Sequence, residues 1–138
     1  MVDQLQLGDR IVFAGYQENI PEVMRAFDIF VMPSRKEAFG LVAIEAMAME
    51  CPIVVSNSGS ADEIVGSSTE QPLGLKVRPE DAFDLQRALK YLLDHPTEWR
   101  EMGTRARAHV KSHYDRRQRL RRTLELYDEV LSRRAVFR

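Results

Sequence analysis

A single cysteine stands in the 138 residues. Cys51 can therefore form no disulfide within the chain and no cysteine cage around a metal. It lies beside Pro52 at the mouth of an apolar run, and a buried, inert thiol is expected there. No apolar run approaches the roughly 18 residues that a membrane span needs. The opening "MVDQLQLGDR" has neither the basic head nor the apolar stretch of a signal peptide, so the expectation is a cytoplasmic protein. Repeats and low-complexity segments are also missing. Basic charge is scarce in one part of the chain only: residues 1–98 hold 8 Lys/Arg against 16 Asp/Glu, a net −8, and residues 99–138 hold 12 against 5, a net +7. The total of −1 hides this asymmetry. The basic run "RRQRLRR" (116–122) has no interleaved aromatics and no recognised binding fold around it, so no nucleic-acid partner is expected.

What is present fits one soluble domain, with 44% apolar and 30% charged residues. Short β-branched runs alternate with helical periodicity. "RIVFAG" (10–15) reads as a strand, 20–27 as a helix with Pro21 in its first turn, and "DIFVMP" (28–33) as a second strand. Then follow a helix over 41–50, a strand over 53–57, a short helix near 61–65 and a strand over 73–77. After Pro79 the pattern becomes helical, over 81–94, 97–112 and about 115–133. The strands are nearly continuous apolar runs, which predicts a Rossmann-like α/β fold: a parallel sheet with flanking helices and a helical C-terminal tail.

Ligands of an open parallel sheet sit at the carboxyl ends of its strands. "SRKEAFG" and "SGSADE" are two loops placed there. In the first, Gly40 lets the backbone approach a ligand, while the N–H groups of Phe39, Gly40, Leu41 and Val42 and the helix dipole favour an anion such as phosphate. Glu37 stands in the loop, and Glu45 lies about two turns into the following helix, so both are expected to face one pocket. Carboxylates accept hydrogen bonds from hydroxyls on adjacent carbons, which suits sugars and riboses.

The spacing alone has little specificity, because twelve glutamates produce a pair eight apart by chance. Ser34 with Glu37, and Ser60 with Glu63, also read as capping boxes. A helix beginning at Arg35 would hold Gly40 inside it at a cost of about 1 kcal/mol, which favours the loop reading of Glu37. For Glu63 the capping role is expected. His109 and His113 are four apart on a helix, but no carboxylate completes a metal motif, and both are expected at the surface. The methionines at 24, 32, 47, 49 and 102, together with Trp99, read as core.

The run "DIFVMPSRKEAFGLVAIEAMAMECPIVVSNSGSADEIV" resembles the donor-binding half of family 4 glycosyltransferases (group 1), whose GT-B fold has two facing Rossmann-like domains. The parts that carry the likeness stand in order: a strand, Pro33-Ser34, Glu37, seven residues, Glu45, a helix rich in Ala and Met, and a strand. The resemblance runs from about "LGDRIVFAG" to the helical tail. It implies that residues 1–138 are a nucleotide-sugar (donor) binding domain, incomplete at its N-terminal side.

By this resemblance Glu37 is the catalytic residue and contacts donor sugar hydroxyls, while Glu45 binds the ribose hydroxyls. The segment Ala38, Phe39, Gly40, Leu41 and Val42 holds the sugar and diphosphate. The reaction implied is transfer of a sugar from a nucleoside diphosphate sugar to an acceptor with retention of configuration, without a metal ion or other cofactor. The family's diphosphate-gripping Arg and Lys, two strands of its sheet and the acceptor-binding domain are expected outside this chain. Arg35 and Lys36 flank the phosphate loop and are candidates for the phosphate cations, with solvated surface charge as the plainer alternative. "SNSGSADE" has one glycine where the family commonly has a pair, and Glu50 stands where a glycine is usual. The chain alone is thus expected not to be catalytically competent. A non-catalytic binding or interaction module that keeps the fold is the alternative.

Two further expectations concern partners. In a strand order of 3-2-1-4-5-6 the absent strands are the central pair. Strands 10–15 and 28–33 then either meet directly or leave an open edge for another chain. In the tail, Leu120, Leu124, Tyr127 and Leu131 form an apolar stripe expected to dock on the domain. That docking would leave Arg116, Arg117, Arg119, Arg121 and Arg122 facing outward, toward an anionic membrane surface or the missing domain.

Overall fold

A computed structural model of the chain describes residues 1–66 and 70–136. After a short 3₁₀ turn at Asp3–Leu5 the elements are α1 (Ile20–Arg25), β1 (Phe30–Met32), α2 (Leu41–Ala48), β2 (Ile53–Ser56), α3 (Ala61–Val65), β3 (Leu75–Val77), α4 (Ala82–Asp94), α5 (Pro96–His113) and α6 (Arg116–Val136). The three strands form a parallel sheet in the order β1-β2-β3. Phe30 stands opposite Ile53, and Val54 opposite Leu75.

β2 is central and buried on both faces, so its side chains sort strictly by alternation. Ile53 and Val55 point into a core built from Met24 of α1, Ala43, Ala46 and Met47 of α2, Ile64 of α3 and Ala106 of α5. Val54 points the other way, toward Val77, Leu92 and Met102, with Leu89 and Trp99 packed against them. Each fully buried Val or Ile contributes about 2 kcal/mol of transfer free energy, so this strand anchors both layers.

Small residues let α2 and α5 come close. Ala43, Ala46 and Ala106 are wholly buried between them. A Cβ on Gly103 would sit 2.1 Å from the Glu50 carbonyl oxygen, so α5 touches the backbone that ends α2. Glu50 itself takes φ +64, a left-handed conformation that disfavours any residue with a Cβ and explains why a glycine suits this position. Its carboxylate accepts from Arg107 at 3.0 Å. Cys51 is buried close by, and loss of solvent raises its thiol pKa to about 11.

The alternation of strands and helices follows the sequence pattern, with two corrections. Residues 10–15 form no strand: after a turn the chain runs unpaired, with Val12 86% and Phe13 82% exposed. A strand exists only through its ladder, and no neighbouring strand is present to supply one. The direct meeting with β1 does not occur either, and β1 is the sheet's edge. The second correction concerns α6. Leu120, Leu124, Tyr127 and Leu131 are 59%, 53%, 62% and 63% exposed, so the stripe does not dock. The opposite side of the helix does not pack either: Arg119, Arg122 and Leu126 line an open cleft with Phe39, Leu41 and Ile44, and Leu126 is itself 57% exposed. Among the described residues no helix is long and apolar enough to cross a membrane.

Two substitutions test the α2–α5 contact. Gly103→Ala is expected to lower stability by about 2 kcal/mol, because backbone must separate from backbone. Glu50→Gly is expected to raise it by under about 1 kcal/mol, since relief of the left-handed strain exceeds the loss of one half-exposed ion pair. Urea unfolding midpoints read both, and equal midpoints for the two variants would contradict the packing described.

Candidate functional site

The loop from Ser34 to Gly40 joins the carboxyl end of β1 to the start of α2. Gly40 is the N-cap of α2, at φ +77. A Cβ there would press on Met32 Cε at 3.1 Å and Ile64 Cδ1 at 3.2 Å, so both conformation and space select glycine. Gly40 lies outside the helix, as the loop reading of Glu37 requires.

Glu37 turns back on this loop. Its Oε1 accepts the amide N–H groups of Phe39 at 3.3 Å and Gly40 at 3.1 Å. The carboxylate therefore occupies half of the amide set expected to hold an anion. The Leu41 and Val42 amides, in the first turn of α2, have no acceptor among the described residues. They stand at the positive end of the helix dipole.

Two residues from the loop after β2 clamp the first loop from outside. Gly59, at φ +57, lies so close that a Cβ would sit 1.7 Å from the Glu37 carbonyl oxygen. Ser60 Oγ donates to the Phe39 carbonyl at 2.5 Å. The capping box expected of Ser60 and Glu63 is thus not formed: Ser60 makes no side-chain cap bond, because its hydroxyl is committed to Phe39. Glu63 faces Tyr114 instead, whose hydroxyl pKa is raised by burial first and by this carboxylate second. The ring of Phe39 meets that of Tyr114 edge to face, centroids 6.4 Å apart. Ser58 Oγ is enclosed beside this loop without a partner among the described residues. The clamping role of Gly59 and Ser60 was not legible in the sequence, where Gly59 is a strand-end loop residue and Ser60 a capping candidate, since their contacts join positions over twenty residues apart.

Glu45 is exposed and borders a groove of about 230 Å³ with Ile20, Pro21, Met24, Ala48 and Met49. The expectation that both glutamates face one pocket is not met by this groove, which Glu45 lines and Glu37 does not: Glu37 is folded onto the amides of its own loop, while Glu45 lies within α2 and is open. Arg35 pairs with Glu80 at 2.9 Å, both largely in solvent, and Lys36 forms no ion pair among the described residues. Ala38 is an exposed loop residue. Across the α2 N-terminus, Phe39, Leu41 and Ile44 line a cleft of about 480 Å³ with Tyr114, Arg119 and Leu126. His109 and His113 stack at 4.0 Å between centroids, and burial followed by the His113 charge lowers the His109 pKa. A larger cavity of about 570 Å³, lined by Val65, Lys76, Tyr91 and Arg105, contains none of the expected site residues.

A glycine-capped helix start at a strand end, with two glutamates eight apart, is the arrangement the resemblance requires, and the comparison with known families decides it. The family model "Glycosyl transferases group 1" matches residues 1–109. The chain belongs to that family. The lipopolysaccharide core biosynthesis mannosyltransferase LpsB of Rhizobium meliloti is 31% identical over 125 residues, which cover 91% of this chain and 35% of the relative. HepE of Anabaena, crystallised with UDP, aligns with a TM-score of 0.82 at 26% identity, over 90% of this chain and 34% of HepE. The crystallised C-terminal domain of the group 1 glycosyl transferase LpcC from Francisella tularensis aligns at 0.71 and 29% identity, over 83% of this chain and 59% of that domain. This group 1 chain thus has the architecture of a GT-B C-terminal domain and spans about a third of the length of its curated relative.

The clamp on the group 1 loop is testable without a ligand. Gly59→Ala is expected to raise hydrogen exchange at the Phe39 and Gly40 amides at least about tenfold, because the new Cβ pushes the Glu37 carbonyl and its loop away, while β2 stays protected. Unchanged exchange at these amides would show that Gly59 does not hold the loop.

Proposed function

We propose that this chain is the donor-nucleotide part of a glycosyltransferase that moves a sugar from a nucleoside diphosphate sugar to an acceptor, with retention of configuration and without a metal ion. The observation that carries this reading is the pair of unpartnered amides, Leu41 and Val42, at the start of a helix whose loop is fixed by Gly59 and Ser60. The departing diphosphate gains charge as the glycosidic bond breaks, and fixed N–H groups stabilise that charge without reorganising. Glu45, open beside Ile20 and Pro21, accepts the two ribose hydroxyls. Glu37 is the catalytic carboxylate of this reading. A diphosphate competes with it for the Phe39 and Gly40 amides, and once released it accepts donor sugar hydroxyls. The UDP bound by HepE supports a nucleotide ligand and leaves the base of this chain's own donor to experiment.

The chain spans about a third of the length of LpsB, and in this reading the acceptor contacts lie outside the chain. The chain alone is therefore a binding unit, and a non-catalytic nucleotide-sugar module is the second reading that this short span favours. The anionic membrane surface rests only on the arginines of α6.

Calorimetric titration with uridine diphosphate tests the site. Binding is expected to be weak, near 0.1 mM or about −5.5 kcal/mol. Glu45→Gln and 2′-deoxyuridine diphosphate are each expected to weaken it about tenfold, and to do so no further when combined, because they remove the same contact. Unchanged affinity in both would remove Glu45 from the site. No sugar transfer by the isolated chain is expected, and robust transfer would overturn its reading as a partial enzyme.

A further inference from the structure

The cavity of about 570 Å³ is no part of the site at the start of α2. Leu75, the first residue of β3, lines it, so it opens at the amino end of the parallel sheet, whereas the loop from Ser34 to Gly40 stands at the carboxyl end. Its volume falls within the roughly 300–1,000 Å³ of small-molecule sites. Val65, Leu75 and Met102 give it an apolar wall. Polar side chains from three elements converge on the same space: Lys76 from β3, Tyr91 from α4, and Glu98, Glu101 and Arg105 from α5.

Most of these polar groups are held in place. His95 stacks on the Tyr91 ring at 4.4 Å between centroids, and the Tyr91 hydroxyl donates to Glu98. The Lys76 side chain, 26% exposed, donates to Asp62 and, at 3.1 Å, to the Gly66 carbonyl. Arg105 is less well served. Its side chain is only 32% exposed, yet Nη2 reaches the Pro72 carbonyl at 3.4 Å, Nη1 stands 3.8 Å from Glu101, and Nε is enclosed without an acceptor among the described residues. A guanidinium is rich in donors, and here one long hydrogen bond answers them. A ligand oxygen at its Nη groups is stabilising because this partly buried cation has so few acceptors of its own.

The balance of charge decides the kind of ligand. Asp62 neutralises Lys76 and Glu101 stands against Arg105, while Glu98 and Glu70 line the cavity with no ion pair among the described residues. The surplus is negative, and it opposes an anion. An organic cation would suit the carboxylates and leave Arg105 unanswered, and no group of ligands able to hold a metal ion is present among the described residues. A neutral molecule with several hydroxyls meets both demands, since each hydroxyl can accept from Arg105 or Lys76 and donate to Glu98 or Glu101. We propose that this cavity is a second carbohydrate site, which takes one neutral sugar unit, its C–H face on Val65, Leu75 and Met102 and its hydroxyls on Arg105 and the two α5 glutamates. The site needs no nucleotide and does not rest on the reading of the α2 start.

NMR titration of the full 138-residue chain with methyl α-D-glucopyranoside and with methyl α-D-mannopyranoside tests this. Weak binding by at least one of them is expected, with a dissociation constant near about 10 mM. The largest shifts are expected at the Leu75 and Lys76 amides and at the Arg105 Nε–H, with Leu41 and Val42 still. Excess uridine diphosphate is expected to leave these shifts in place, which separates the cavity from the α2 start. Glu98→Gln and Arg105→Lys are each expected to weaken binding about tenfold, as loss of a hydrogen bond to a charged group does, and unmoved β2 amides would show that both variants keep the fold. No shift at these residues with either glycoside would overturn the proposal. So would shifts that uridine diphosphate removes, or an affinity unchanged in both variants. Inorganic phosphate moving the Arg105 Nε–H as far as the glycosides do would make this an anion site and overturn it equally.

Discussion

Close backbone contact between α2 and α5 is the constraint on which the rest of the structure depends. Gly103 lies against the Glu50 carbonyl, and wholly buried alanines fill the interface. At Gly103 even a Cβ would come within 2.1 Å of that oxygen. The contact fixes the axis of α2 against β2, whose residues are buried on both faces, and so aims the α2 N-terminus at the carboxyl edge of the sheet. A helix start is useful to an anion only if it is held still, and here packing at the far end of the helix holds it.

The near end is held by different means. Gly59 and Ser60 press on the loop from the neighbouring strand end, and Glu37 folds onto two of the loop's own amides. This satisfies donors that would otherwise be orphaned. Two amides remain open beside it. Membership of the group 1 glycosyltransferases gives this geometry its chemical sense. The exposed run at residues 10–15, the bare edge of β1 and the uncovered stripe of α6 share one feature: no surface among the described residues covers them.

Much of this was legible in the residues. Every helix was placed near its observed bounds, because amphipathic periodicity and caps are local. Gly40 marked the end of the loop because a glycine inside a helix is costly. The failures lay where structure depends on distant partners. Residues 10–15 have the composition of a strand and lack a ladder to join. The α6 stripe is real, but periodicity reports only that an apolar face exists, and the face looks away from the body. Ser60 followed by Glu63 satisfies the spacing of a capping box, yet the Phe39 carbonyl, twenty-one residues away, takes the hydroxyl. Glu50 was read as a departure from the family, and its left-handed backbone shows what the glycine there would have done.

The central claim is that the start of α2 receives a nucleoside diphosphate. The most direct measurement is an amide-resolved NMR titration of the chain with uridine diphosphate and, in parallel, with uridine. The account predicts that the diphosphate shifts the Leu41 and Val42 amides most, with Phe39 and Gly40 following as Glu37 lets go, and that uridine leaves these four nearly still. Shifts confined to other surfaces, such as the cavity beside Val65 and Lys76, or equal shifts by both compounds, would contradict it.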